Sequence, residues 1–169
     1  MRRITPEHAA RYQAYYKMHE AQAVPSLWVP RIEAIAAKVG AQSILDYGSG
    51  PSGGLSRFLS VPTRDYDPGV QGLDGEPEAA DLVCCIHTLE HVEPLCLSAV
   101  VADLQILTRK ALFVAVSCEK STKVLPDGTP WHTFVRDQRW WRDYFVGFVE
   151  QPPRIEKPGA EYAGLMVIE

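Results

Sequence analysis

The chain has 169 residues, 46% hydrophobic and 22% charged, with a formal net charge of −4. That length and balance suit one soluble domain with a single core. The longest apolar runs, such as Ala111 to Val116, are far too short to span a bilayer, and the basic residues are too scattered to neutralise duplex DNA. Arg136, Arg139 and Arg142 do fall on one helical side, but they alternate with Asp137 and Asp143, as on a solvated face. Arg2 and Arg3 have no apolar stretch behind them, so no secretory signal is expected. The four cysteines show no C-x-x-C spacing, and a reduced, cytoplasmic protein is expected.

In chain order, Pro6 to about Glu20 predicts a helix carrying Tyr12, Tyr15, Tyr16 and Met18. A second helix follows Pro30, with Ile32, Ile35, Ala36 and Val39 on one face and Gly40 as its stop. Ser43 to Tyr47 predicts the first strand, followed by a glycine-rich turn from Gly48 to Gly54. A short helix is expected from about Gly53 to Leu59, then a strand over Thr63 to Asp67 closed by Pro68-Gly69. Val70 to Ala80 has no strand-like run, so the third βα unit is expected to be reduced or absent. Asp81 to Ile86 is continuously apolar after its first residue, the pattern of a parallel strand covered on both faces.

Past Pro94 a helix carries Leu97, Val100, Val101, Leu104 and Leu107, and Ala111 to Ser117 predicts another buried strand. Asp137 to Phe145 predicts an aromatic helix, and Gly147 to Gln151 with Glu161 to Ile168 an antiparallel pair. The order predicts an α/β domain over residues 1–169: a doubly wound, mostly parallel sheet with an antiparallel edge hairpin.

Chemistry concentrates at the strand ends. Gly48, Gly50 and Gly53 formally match G-x-G-x-x-G, which favours a pyrophosphate. Asp46 argues the other way, because a negative charge at the loop's mouth repels phosphate and suits a cationic ligand. The run Asp46-Tyr47-Gly48-Ser49-Gly50 resembles the first motif of class I S-adenosylmethionine-dependent methyltransferases, whose ligand carries a sulfonium and an ammonium group. Asp81 to Cys85 followed by Leu89-Glu90-His91-Val92 resembles the same family, which often shows Leu-Glu-His at this point. Tyr66-Asp67-Pro68, Leu125-Pro126-Asp127-Gly128, His132 and Trp140-Trp141 further resemble small methyltransferases of phage and prophage genomes, over about residues 43 to 145. In that group Asp-Gly continues as Arg-Asn-Ala-His. Here Thr129-Pro130-Trp131-His132 keeps the histidine and loses the arginine and asparagine, which leaves the substrate open.

The resemblance implies a Rossmann-like core over 41–169 that binds S-adenosylmethionine and releases S-adenosylhomocysteine. Asp46, Tyr47, Gly48, Ser49 and Gly50 would hold the methionine end, and Asp67 or Asp65 the ribose. Cys85, Ile86 and His87 would line the cofactor cleft. The helices within 1–40, with Tyr12, Tyr15 and Tyr16, would form a lid or simply pack on the core. His132 is the first candidate for a general base or substrate-binding group and His91 the second, each against a purely structural role. No metal is expected, since Glu90-His91 with Glu93 matches no ligand spacing and no Cys/His cluster accompanies it.

The Asn/Asp-Pro-Pro-Tyr/Phe run of amino-methylating DNA enzymes and the Pro-Cys of cytosine C5 methylation are both missing. An unidentified acceptor of small-molecule or nucleotide type therefore fits better than duplex DNA. Two rivals remain: an NAD(P)- or flavin-binding reductase, and a relative that binds the cofactor or a partner protein without turnover.

Overall fold

The computed structural model describes residues 3–19, 28–146 and 161–168. Its elements are α1 (Pro6–Met18), α2 (Val29–Val39), β1 (Ile44–Tyr47), β2 (Thr63–Tyr66), β3 (Ala80–Ile86), α3 (Leu97–Leu107), β4 (Thr108–Ser117), α4 (Gln138–Phe145) and β5 (Glu161–Val167). The strands form one sheet in the order β2-β1-β3-β4-β5. The first four run parallel and β5 runs antiparallel to β4, pairing Ser117 with Glu161 through Ala111 with Val167. The expected α/β sheet with an antiparallel edge is therefore present.

Local chemistry sets the helix ends. Thr5 caps α1 by accepting from the His8 amide, with Pro6 at the first helical position. Gly40 ends α2 in the left-handed conformation, φ 60°, and its amide bonds back to Ala36 and Ala37. Asp137 caps α4 by accepting from the Trp140 amide.

Side-chain alternation explains the unbroken apolar run of β3. Leu82, Cys84 and Ile86 pack with Ile32, Ile35 and Ala36 of α2 on one face of the sheet. Val83 and Cys85 pack on the other face with Val100 and Leu104 of α3 and Trp141 and Phe145 of α4. A strand covered on both sides has no solvent face to keep polar. Three cysteines are buried, Cys118 is half-buried, and none is bridged.

Two expectations need correction, and a third lies outside the described residues. The segment after the glycine turn makes only a single 3-10 turn, Leu55–Arg57, in place of a helix from Gly53 to Leu59. Gly53 and Gly54 weaken any helix start, and Pro62 leaves too few residues for a second turn. β4 begins at Thr108, directly after α3, so the polar Arg109 and Lys110 belong to the strand. The described partner of β5 is β4; the proposed hairpin strand Gly147 to Gln151 lies outside the described residues. The reduced third βα unit holds, for no helix or strand occurs between Tyr66 and Ala80.

Because β1 lies between β2 and β3, the chain leaves β1 toward one edge and then crosses back. That reversal opens a crevice beyond the carboxyl ends of β1 and β3, where open α/β sheets bind ligands. Helix α1 contributes to a third, smaller cluster, in which Tyr12 and Tyr15 pack with Leu125 and Trp131.

Candidate functional site

A cavity of about 400 Å³ occupies that crevice, within the range of small-molecule sites. Its floor is the glycine turn. Gly48 takes φ 86°, a conformation that strains other residues, and a side chain there would also overlap Thr88, so the turn and the close approach both demand glycine. The amides of Gly48 and Ser49 donate to the Tyr66 carbonyl at 2.7 and 3.1 Å, fixing the turn against the end of β2.

Asp46 lines the cavity but lies deeper than the mouth of the loop. It is 4% exposed, and its Oδ2 accepts from the Leu55 amide at 2.7 Å. A Cβ on Gly54 would overlap this carboxylate. Burial lifts the Asp46 carboxyl to about 7, against the pull of the Leu55 amide, and the charges of Asp65 and Asp67 add to the rise.

Asp67 lines the same floor. Its Oδ2 accepts from the Gly50 amide at 2.9 Å and its Oδ1 from the Gly69 amide at 2.8 Å, clasping the glycine turn to the turn after β2. Burial raises this carboxyl too. Asp65 is directed elsewhere: it accepts from Ser56 Oγ at 2.6 Å and is absent from the cavity wall. Strand alternation alone would set the two acids on one side, but β2 stops at Tyr66, so Asp67 belongs to the turn and escapes the alternation.

Of the residues expected after β3, Ile86 and His87 line the cavity and Cys85 does not. Cys85 is fully buried and points to the α3 face, because strand alternation separates it from Ile86. His87 adopts φ 50° and its Nε2 meets Glu161 Oε1 at 2.6 Å. Tyr47 contributes to the wall, while its hydroxyl donates to Asp103 at 3.0 Å.

The roof comes from α1 and the loop before α4. Tyr12, Tyr15 and Tyr16 line the cavity and pack on Trp131, with Tyr15 and Trp131 ring centroids 4.3 Å apart. The Tyr12 hydroxyl donates to the Trp131 carbonyl at 2.9 Å and lies 3.0 Å from His91 Nδ1. His91 Nδ1 also lies 2.8 Å from that carbonyl. A carbonyl only accepts, so the network assigns the His91 proton to Nδ1 and leaves a lone pair on Nε2. Burial drives the His91 imidazolium down to about 3, so the ring is neutral.

His132 repeats the arrangement. Its Nδ1 lies 2.6 Å from the Glu119 carbonyl, which assigns the proton there and frees Nε2, and burial lowers its titration as well. The two histidine rings meet edge to face, 5.0 Å apart. Glu90 sits beside them, wholly buried. Its Oε1 accepts from the Ser117 amide at 3.1 Å, its Oε2 has no partner, and burial pushes the carboxyl to about 8. The sequence reading singled out both histidines but gave no role to Glu90, Thr88 or Trp131. Only the Leu-Glu-His run pointed to Glu90, and nothing in the spacing pointed to Thr88.

No protein-family profile matches this chain, and no curated protein does. Solved structures do. The methyltransferase domain of bacterial CtHen1 aligns with a TM-score of 0.57 at 15% identity, covering 83% of this chain and 97% of that one. A complex of DhpI with SAM and HEP aligns at 0.57 and 16%, covering 94% and 96%. The 1,6-didemethyltoxoflavin-N1-methyltransferase of Burkholderia thailandensis, with bound 1,6-didemethyltoxoflavin and S-adenosylhomocysteine, aligns at 0.57 and 17%, covering 94% and 88%. At these identities the likeness shows a shared fold: the Rossmann-like α/β sheet of these methyltransferases.

Proposed function

We propose that this protein is an S-adenosylmethionine-dependent methyltransferase. The observation that carries the reading is the pair of carboxylates that flank the glycine turn, Asp46 buried and Asp67 half-buried, both lining the cavity. A pyrophosphate beside two such groups would add charge to a site already short of compensation, whereas a sulfonium or ammonium would supply it. Gly48 to Gly50 and Asp46 would hold the methionine end, Asp67 the ribose, and Ile86 and His87 the neighbouring wall. The solved structures that share the fold carry SAM or S-adenosylhomocysteine in two of the three cases named, which supports the same ligand here.

S-adenosylmethionine supplies a methyl group on a cationic sulfur, so the protein's task is chiefly to place the acceptor in line with it. Tyr12, Tyr15, Tyr16 and Trp131 make an aromatic roof that excludes water and would grip a flat or partly apolar acceptor. The neutral Nε2 of His132 is available to accept an acceptor's proton, whereas burial makes His91 so weak a base that its Nε2 serves as a hydrogen-bond acceptor. The acceptor is proposed to be a small molecule or nucleotide. Among the described residues no helix is long and apolar enough to cross a membrane; the unbridged cysteines support a cytoplasmic setting. The likeness to phage-type enzymes rests on Asp127-Gly128 and His132 and is a narrower part of the proposal. A screen of candidate acceptors with methyl-labelled S-adenosylmethionine tests turnover: label in product supports the reading, and tight cofactor binding without transfer to any acceptor class overturns the catalytic part.

A further inference from the structure

Glu90, His91 and His132 each place one potential donor atom within 4.8 Å of the others, at the wall of the cavity. The sequence hid this set because His132 lies 41 residues beyond His91 and reaches it only through the loop before α4. Glu93, the third residue of the local run, takes no part: it accepts from the amide and the hydroxyl of Thr5.

Three independent features give this cluster the character of a ligand set. Both histidines spend Nδ1 on a backbone carbonyl, Trp131 for His91 and Glu119 for His132. Such a bond orients a metal-binding imidazole and fixes the tautomer that leaves Nε2 free. Neither Nε2 has a partner among the described residues. Glu90 Oε2 is wholly buried without a hydrogen bond, an arrangement that costs stability unless something fills the space it faces. The second carboxylate oxygen is anchored by the Ser117 amide, as the supporting contact of a ligating carboxylate would be.

We propose that Glu90, His91 and His132 bind a divalent first-row transition-metal ion at the cavity wall. Two imidazole nitrogens and one carboxylate suit zinc, cobalt, manganese or iron over calcium or magnesium, and three protein ligands leave positions open toward the cavity. A filled site holds its donors about 2.0–2.2 Å from the ion, so the 4.8 Å spread must contract by side-chain rotation on binding. The inference leaves the cofactor-binding part of the methyl-transfer reading untouched, since it uses none of the glycine-turn residues, but an ion would occupy the Nε2 of His132, the proposed proton acceptor, together with that of His91.

The test is calorimetric titration of chelator-treated, full-length protein with Zn²⁺, and visible spectroscopy with Co²⁺ in its place. One equivalent of each should bind saturably, with Co²⁺ bands typical of nitrogen and oxygen ligation. His132→Ala, at a half-buried position, should weaken Zn²⁺ binding about tenfold or more, and Glu90→Gln likewise. His19→Ala, on the exposed end of α1, should change nothing. Absence of saturable Zn²⁺ and Co²⁺ binding, or unchanged affinity in His132→Ala, overturns the site even if Glu90→Gln fails to fold. The same samples are titrated with S-adenosylhomocysteine: cofactor binding without metal refutes only the metal site, and metal binding without cofactor refutes only the methyltransferase.

Discussion

Replacing Asp46 by Asn separates what this carboxylate costs the fold from what it gives the ligand. Burial raises the group from 3.8 to about 7 in the folded chain. The unfolded chain therefore releases its proton first, and the folded state loses stability as pH rises from about 4 to about 7. A gap of about three pH units corresponds to roughly 4 kcal/mol at about 1.36 kcal/mol per unit, as an upper figure. An Asn carbonyl can still accept from the Leu55 amide, but its NH₂ group enters a site with no evident acceptor, at about 1–3 kcal/mol. The balance leaves Asp46→Asn more stable than the parent by on the order of 1–3 kcal/mol at pH 8 without ligand, a margin that shrinks toward pH 4.

With S-adenosylmethionine the order should reverse. At a thousand times Kd the ligand stabilises the parent by about 4.1 kcal/mol, and the variant, lacking the charge that attracts the sulfonium, should gain little. Thermal unfolding of both proteins at pH 5 and pH 8, with and without S-adenosylmethionine, reads all four terms. A variant that is less stable than the parent at pH 8 without ligand, or one that S-adenosylmethionine stabilises equally, refutes the reasoning.

Other expectations can be checked separately. Asp67→Asn should weaken S-adenosylhomocysteine binding at least tenfold by calorimetry, while Asp65→Asn, off the cavity and tied to Ser56, should leave it nearly unchanged. Gly48→Ala should lose cofactor affinity and lower Tm, because φ +86° strains any side chain there and its Cβ collides with Thr88; a fully stable single variant would count against this. Trp141→Ala removes a wholly buried ring from the α4 face and should cost about 3–5 kcal/mol in denaturant unfolding. Tyr12→Phe should cost only about 0.5–1.5 kcal/mol, the worth of its bond to the Trp131 carbonyl, in the same assay.

Strands covered on both faces were the most legible part of this chain. The apolar continuity of Leu82 to Ile86 and of Ala111 to Val116 follows directly from burial between α2 and α3. The glycine turn was legible because Gly48 must admit Thr88, although Thr88 itself, 40 residues away, was not. Asp67 and Asp65 could not be told apart until the end of β2 was known. The resemblance grouped Cys85 with Ile86, but strand alternation sends the two side chains to opposite faces and only Ile86 reaches the cavity. The grouping of Glu90, His91 and His132 depends on the loop from Trp131 folding back over β3, which no local pattern encodes.

Calorimetric titration of the unmodified protein with S-adenosylhomocysteine, run beside NAD(P), tests the cofactor assignment most directly. Saturable binding of one equivalent of S-adenosylhomocysteine, with none of NAD(P), is the expected result. Saturable NAD(P) binding without affinity for S-adenosylhomocysteine would contradict it.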